Sequence, residues 1–345
     1  MRFMTWSMMM IPLLLLLANR PSVQSGPQPD DPSSPAHAPR LSAEDKAILS
    51  DVVRLQTDLG EDLWPGYGRA SIPIILYNER YEFLIGETTP PPPWVVVESD
   101  SFGGNPYYRR DSSNPQAFAV PVGTGWAGSL TSFEAINRGG PMKMMKITRE
   151  YYVSLVHHEM FHAFQASRGE DHFRQAGRAY SAEARYPGKD KGFMSAWDKE
   201  GAVLAVALNA NDDATRRRAV REFLQVRDAR RAQAALSPDL LAFERELEWL
   251  EGLAKYVEFR LHDLVRARRV ELADPTPPPA SPYWHQADMF RLAKRLGQQN
   301  GDLRFYLSGM AQARVLDRLS PGWKEKAMEA GVYLEDLLRA TLESE

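Results

Sequence analysis

The chain has 345 residues, 43% of them hydrophobic and 25% charged, which suits one or two globular units with a sizeable core. Its formal net charge is -3, so no global field argues for nucleic acid or an acidic membrane as a partner. It has no cysteine, which excludes disulfides, thiolate metal sites and a lipid-modified cysteine.

Arg2 stands before an apolar run, Met8 to Ala18, too short to span a bilayer comfortably and followed by small and polar residues. Residues 1–25 are therefore expected to be a signal peptide, cut near Ser25. A retained anchor is the competing reading, weakened by Pro12 inside the run. The mature chain is then secreted or periplasmic and has no stable membrane span. Residues 26–40, rich in proline and polar side chains, are expected to form a flexible linker.

From Leu41 to Gly60 the apolar residues recur at helical spacing, with Ser42 as N-cap candidate, acidic residues in the first turn and a terminal glycine. Between Trp64 and about Pro141 the runs "IPIILYN", "YEFLIG", "WVVVES" and "QAFAVPVG" are strand-like, and "TTPPPP" and "GGNP" break them. "GWAGSLTSF" (Gly125 to Phe133) is either an edge strand open to an extended peptide or, given its small residues, a loop. From Ile147 helical periodicity runs to the C-terminus. The expected class is α+β: a small β-containing lobe (residues 41–146) and a larger, mainly helical lobe (residues 147–345), with a cleft between them. Within the second lobe "RRRAVREFLQVRDARR" (Arg216 to Arg231) holds seven arginines. A solvated helix face with Glu222 and Asp228 interspersed is expected, against a stripe that meets phosphate or acidic lipid.

The stretch "YYVSLVHHEMFHAFQ" (Tyr151 to Gln165) opens the helical lobe. Tyr151, Leu155, His158, His162 and Gln165 share one helix face, and most of the remainder is apolar, so the helix is expected to be buried. Burying Glu159 and two histidines there is costly unless they are paired or bind a cation. His158 and His162, four residues apart, can both reach one Zn²⁺, and Glu159 lies beside them, the H-E-x-x-H arrangement. His157 points about 100° away from His158 and is expected to be a bystander. A third ligand is still needed. Gln165 and Arg168 stand where the extended motif has Gly and His, which leaves a carboxylate on a later element. Glu183 sits in a short or broken element before Tyr-Pro-Gly. Glu200 opens a helix, where an acidic residue is favoured anyway. Glu251 has the small neighbours Gly252 and Ala254, which permit close helix approach, although an exposed i,i+4 pair with Lys255 would also explain it.

At these residues the chain resembles the gluzincin type of zinc metallopeptidase, and most of all uncharacterised bacterial secreted proteins that carry "HHEMFHAFQ" and, downstream, "WLEGLAKYVEF". "WPGYG" (Trp64 to Gly68) and "FYLSGMAQARVLDRLSPGWKEK" (Phe305 to Lys326) are similar to that group too. The resemblance implies a zincin-like lobe with one Zn²⁺ per chain held by His158, His162 and Glu251, Glu159 as general base for a metal-activated water, and a peptide or protein substrate. Tyr283 and Tyr306 are candidates for stabilising the developing oxyanion. The chain departs from the compact pattern in having 88 residues between His162 and Glu251, which keeps Glu200 as the alternative ligand. A non-catalytic zinc-binding protein, or an envelope interaction protein of the same fold, is the alternative to an enzyme.

Overall fold

The computed structural model describes residues 39–138, 147–272 and 283–343. The expected signal peptide and linker residues 26–38 lie outside the described residues. The class is α+β, with a small six-stranded mixed sheet near the N-terminus and a larger helical part after it.

Helix α1 (Ala43–Leu63) starts as its sequence dictates, with the Ser42 side chain accepting from the Asp45 N–H. It runs past Gly60, which is no cap but a point of close approach to Gly68. The strands are β1 (Ile74–Tyr77), β2 (Tyr81–Ile85), β3 (Val95–Val96), β4 (Tyr108–Asp111), β5 (Phe118–Val122) and β6 (Gly125–Thr131), in the order β3-β4-β2-β1-β6-β5. Only the β1–β6 pair is parallel. Period-two alternation divides the sheet. Ile74, Leu76, Phe83, Ile85 and Leu130 face the main core, whereas Ile75, Leu84, Val122 and Ala127 form a second cluster under Trp94. The Arg110 guanidinium lies 4.3 Å over the Trp94 ring and pairs with buried Glu82, which closes that second face.

The segment Gly125 to Phe133 is a strand for most of its length, but an interior one. β6 is hydrogen-bonded to β1 on one side and β5 on the other, so β5 is the edge. The short helix α2 (Phe133–Arg138) follows it.

On the core face of the sheet lies α3 (Arg149–Arg168), with Thr148 as N-cap and fifteen of its twenty residues buried, as the all-round apolar pattern predicts. Then come α4 (Glu170–Ala179), a 3₁₀ turn (Tyr180–Arg185), α5 (Lys191–Asn209), α6 (Asp213–Gln233), α7 (Pro238–Ala267), α8 (Tyr283–Arg295), α9 (Leu303–Leu319), α10 (Trp323–Lys326) and α11 (Leu334–Glu343). Helix α7 is central and packs on α3, α4, α9 and α11. It crosses α9 at Gly252, where an added Cβ would stand 2.5 Å from the Cα of Gly309. The two backbones therefore meet with nothing between them, as the small residues around Glu251 suggest. Among the described residues no helix is long and apolar enough to cross a membrane.

The arginine run is not a solvated face. Arg216, Arg227, Arg230 and Arg231 of α6 are buried, and only Arg218 and Arg221 among the seven are exposed. Arg227 binds Glu200 (3.0 Å), both Glu248 oxygens and Glu335 (3.0 Å), while Arg230 binds Glu200 and both oxygens of Glu244 (2.6 and 2.9 Å). Arg231 bridges Glu244 and Glu335. The error has a physical cause: the polar stripe of an amphipathic helix looks alike whether it meets water or a matching set of carboxylates on neighbouring helices.

Burial pushes the Glu335 carboxyl up from its ordinary 4.5, but Arg227 and Arg231 outweigh burial and hold it at about 2; Glu244 is held lower still by Arg230 and Arg231. A carboxylate whose pKa falls on folding contributes its full stability above its unfolded value and loses it as pH falls through the folded value. The unfolding free energy is expected to decline as pH drops from 4.5 towards about 2. Denaturant melts at stepped pH measure this, and a flat profile across that window would contradict it.

Candidate metal centre

The close crossing at Gly252 puts Glu251 at the centre of the helical part, and α3 runs past it. The structure brings together three of the residues singled out by the sequence. His158 Nε2 and His162 Nε2 are 3.1 Å apart, and Glu251 Oε2 is 3.5 Å from the first and 3.2 Å from the second. All three side chains are buried, at 2%, 1% and 3% exposure. Among the described residues this is the one group of His and acidic side chains whose ligand atoms converge closely enough to hold a metal ion.

The fit can be tested on the atoms themselves. Donors about 2.0–2.1 Å from a tetrahedral ion stand about 3.3–3.4 Å from one another, close to the three separations observed. Two facing ring nitrogens at 3.1 Å cannot both carry hydrogen, and Glu251 Oε2 makes no hydrogen bond. Unless an imidazole carries a hydrogen to it, that buried carboxylate oxygen is costly, and a cation among the three atoms removes the cost. The residues present therefore could hold a metal ion.

The outer nitrogen of each imidazole is held. His158 Nδ1 is 2.6 Å from Glu258 Oε1, and Glu258 is bound in turn by Lys255 (2.8 Å), which also pairs with Asp288 of α8 (3.0 Å). His162 Nδ1 is 3.0 Å from Gln165 Oε1, and the Gln165 amide donates to the carbonyls of Trp249 and Leu250. If each Nδ1 carries the hydrogen, each Nε2 presents its lone pair inward. Without a cation the charges redistribute. Burial pushes His158 down, but Glu251 and Glu258 outweigh it and raise it to about 10. Burial holds His162 below its ordinary value, and Glu251, despite its burial, is held low by the two histidines.

Glu159 is buried, and its Oε2 makes no hydrogen bond. Burial raises its carboxyl to about 8; the His158 charge opposes the shift, while Glu251 and Glu258 add to it. Its backbone is pressed against β6: a Cβ on Gly128 would lie 2.7 Å from Met160 N and 2.8 Å from the Glu159 carbonyl carbon. His157 is a bystander, as expected. Its Nδ1 meets the Tyr67 hydroxyl at 3.0 Å, and burial lowers its pKa to about 3, so it is neutral.

The alternative ligands lie elsewhere. Glu200 is not at a helix start but in the middle of α5, fully buried and bound by Arg227 and Arg230. Glu183 sits half-buried on the 3₁₀ turn. Lys255 does not pair with Glu251 at the surface but is buried against Glu258 and Asp288. Tyr306 stacks on His158, with ring centroids 5.6 Å apart and planes 12° from parallel, and burial raises its hydroxyl pKa well above the ordinary value. Tyr283 opens α8, and its side chain lies outside the described residues.

Four contributors escaped the sequence reading. Phe118 of the edge strand β5 lies 4.7 Å from the His162 ring, Tyr180 donates to Glu251 Oε1 at 3.0 Å, Asp302 lies 3.2 Å from the same hydroxyl, and Glu258 holds His158. Only Glu258 carried a local signal, standing two helical turns after Glu251 on the same face.

Comparison with protein-family models, with curated proteins and with solved structures finds no match to this chain. The site is thus described by its own atoms.

The contact of β6 with α3 leaves no room for a methyl group. Gly128→Ala is expected to destabilise the protein by about 1–3 kcal/mol through overpacking. A lower denaturant midpoint with an unchanged slope would show it.

Proposed function

We propose that the protein is an extracytoplasmic zinc-dependent peptidase in which His158, His162 and Glu251 hold one zinc ion per chain and Glu159 is the general base. The observation that carries this reading is the convergence of two imidazole nitrogens and one buried carboxylate oxygen at 3.1–3.5 Å. Two histidines and a glutamate form a donor set that leaves a fourth position for water. The H-E-x-x-H spacing, with Glu159 next to the first ligand, supports hydrolysis, and the resemblance to gluzincins supports a peptide bond as its target.

Zinc, when bound, supplies Lewis acidity and lowers the pKa of a water in the fourth position. The chain's own residues do the rest. Glu258 and Gln165 orient the imidazoles. Glu159, with a free oxygen, takes a proton from the attacking water and passes it to the leaving amine. Tyr306 stays neutral and can donate to the substrate carbonyl oxygen as its charge develops. Phe118 covers His162, and the backbone of β5 offers an edge with no strand paired to it among the described residues, on which an extended peptide can lie.

The near-complete burial of the same atoms favours a second reading, a non-catalytic zinc site, because a substrate has to reach the ion before it can be hydrolysed. An envelope-binding role draws little support from the arginine run, most of which is bonded inside the molecule.

Two measurements test these readings. Metal analysis of the dialysed protein is expected to find about one zinc per chain. Glu251→Ala should lose it. Glu200→Ala should keep it while losing about 3–5 kcal/mol of stability, because Arg227 and Arg230 are left short of a partner. Absence of zinc from the wild-type protein after zinc-replete expression would overturn the metal assignment.

Glu159→Gln separates chemistry from binding. It should keep the zinc and lower peptide turnover by at least about 10²-fold. Zinc in the wild-type protein with no hydrolysis of any peptide would favour the structural reading.

A further inference from the structure

The third ligand is held on its far side by a contact that the hydrolytic reading does not use. Tyr180, first residue of the 3₁₀ turn after α4 and half-buried, directs its hydroxyl to Glu251 Oε1 at 3.0 Å and to Asp302 Oδ2 at 3.2 Å. Glu251 and Asp302 are both buried. Asp302 stands at the N-cap of α9, where its side chain would ordinarily accept a helix N–H, yet it makes no such bond and turns to Tyr180 instead.

Hydrogen counting decides how three such groups can coexist. The tyrosine hydroxyl has one hydrogen to donate and lone pairs to accept with. Were both carboxyls ionised, one of the two contacts would set oxygen lone pairs against each other in a buried place. The arrangement closes if Asp302 carries a hydrogen: Asp302 donates to the tyrosine oxygen, and the tyrosine donates to Glu251 Oε1. Glu251 is the partner that must stay ionised, because its other oxygen faces the two imidazoles. Burial raises the Asp302 carboxyl to about 8, with the nearby Glu251 charge adding to the rise, in the direction this chain requires.

We propose that Tyr180 is a positioning residue for the metal site: it anchors Glu251 Oε1 and so turns Oε2 towards His158 and His162, with Asp302 supplying the second hydrogen of the chain. This rests on the metal assignment above. Its consequence is that the geometry of the third ligand is set from two other elements, the turn after α4 and the start of α9, and not by α7 alone. Tyr180 does not touch the ligand position itself; it acts through Glu251.

The test uses the full-length mature protein stripped of metal, with Zn²⁺ alone as the probe in competition with a chelator of known affinity. Tyr180→Phe removes one oxygen and keeps the ring, and it should weaken zinc binding by about 10–100-fold, the usual effect of losing an outer hydrogen bond to a ligand. Asp302→Asn keeps a hydrogen-bond donor towards the tyrosine and should bind within about threefold of wild type, whereas Asp302→Leu should weaken binding as Tyr180→Phe does. Melting of each metal-free variant separates this effect from a general loss of structure: Tyr180→Phe should melt close to wild type while its zinc affinity falls. Unchanged affinity in Tyr180→Phe, alongside lost zinc in Glu251→Ala, would overturn the proposal and leave the metal site standing. Asp302→Asn as weak as Tyr180→Phe would overturn the placing of the hydrogen on Asp302. A wild-type protein that binds no zinc would overturn both readings, and that control tells the failures apart.

Discussion

Ionisable side chains buried on one helix are the constraint around which the molecule is arranged. Glu244, Glu246, Glu248, Glu251, Lys255, Glu258 and His262 of α7 are all inside the protein. An unpaired charge there would cost several kcal/mol, so each demands a partner from a different element. Glu244 and Glu248 are met by arginines of α6, Glu246 by Gln175 and Tyr333, and Lys255 by Asp288 of α8. His262 is met by Glu150 at the start of α3. Glu251 and Glu258 are met by the histidines of α3. The positions of α3, α6 and α8 around α7 are thus fixed by charge as well as by apolar packing, and the candidate metal centre is one member of a series of such pairings along the helix axis.

What sets that member apart is incompleteness. The arginine cluster balances carboxylates with guanidinium forks that fill most lone pairs at hydrogen-bonding distance. At Glu251 the facing groups are imidazoles, which offer lone pairs of their own once Glu258 and Gln165 hold their outer nitrogens. Acceptors pointed at acceptors could hold a cation between them; the same helix that solves a folding problem at Glu248 creates a chemical opportunity one turn later.

The legible part of this arrangement was the local part. Helical spacing in Tyr151 to Gln165 specified a buried helix with two histidines on one face, and the small residues after Glu251 foretold a close helix approach but not its partner, which at Gly252 is α9 and not the histidine-bearing α3. Strands β1, β2 and β5 were visible in their apolar content, whereas β4, with the sequence Tyr-Arg-Arg-Asp, was not, because its side chains are half exposed and its pairing comes from β2. β6 was visible as a possible strand but not as an interior one, since strand order depends on contacts across the chain. Tyr180 and Asp302 were silent for the same reason: 71 residues separate Tyr180 from Glu251 and 122 separate it from Asp302. Glu200 and the arginines misled because a charge that seeks water and a charge that seeks another charge look alike in one dimension.

The near-complete burial of the ligand atoms has a kinetic side. An ion seated among His158, His162 and Glu251 can leave only when the surrounding packing opens, so its exchange follows the rate of that local opening and not the bare ligand-exchange rate of the ion. Once opening limits release, adding more of an external competitor ceases to speed it. An ion retained by a given molecule would then be a record of what was available when the chain folded, with the order of folding and loading deciding which ion it keeps.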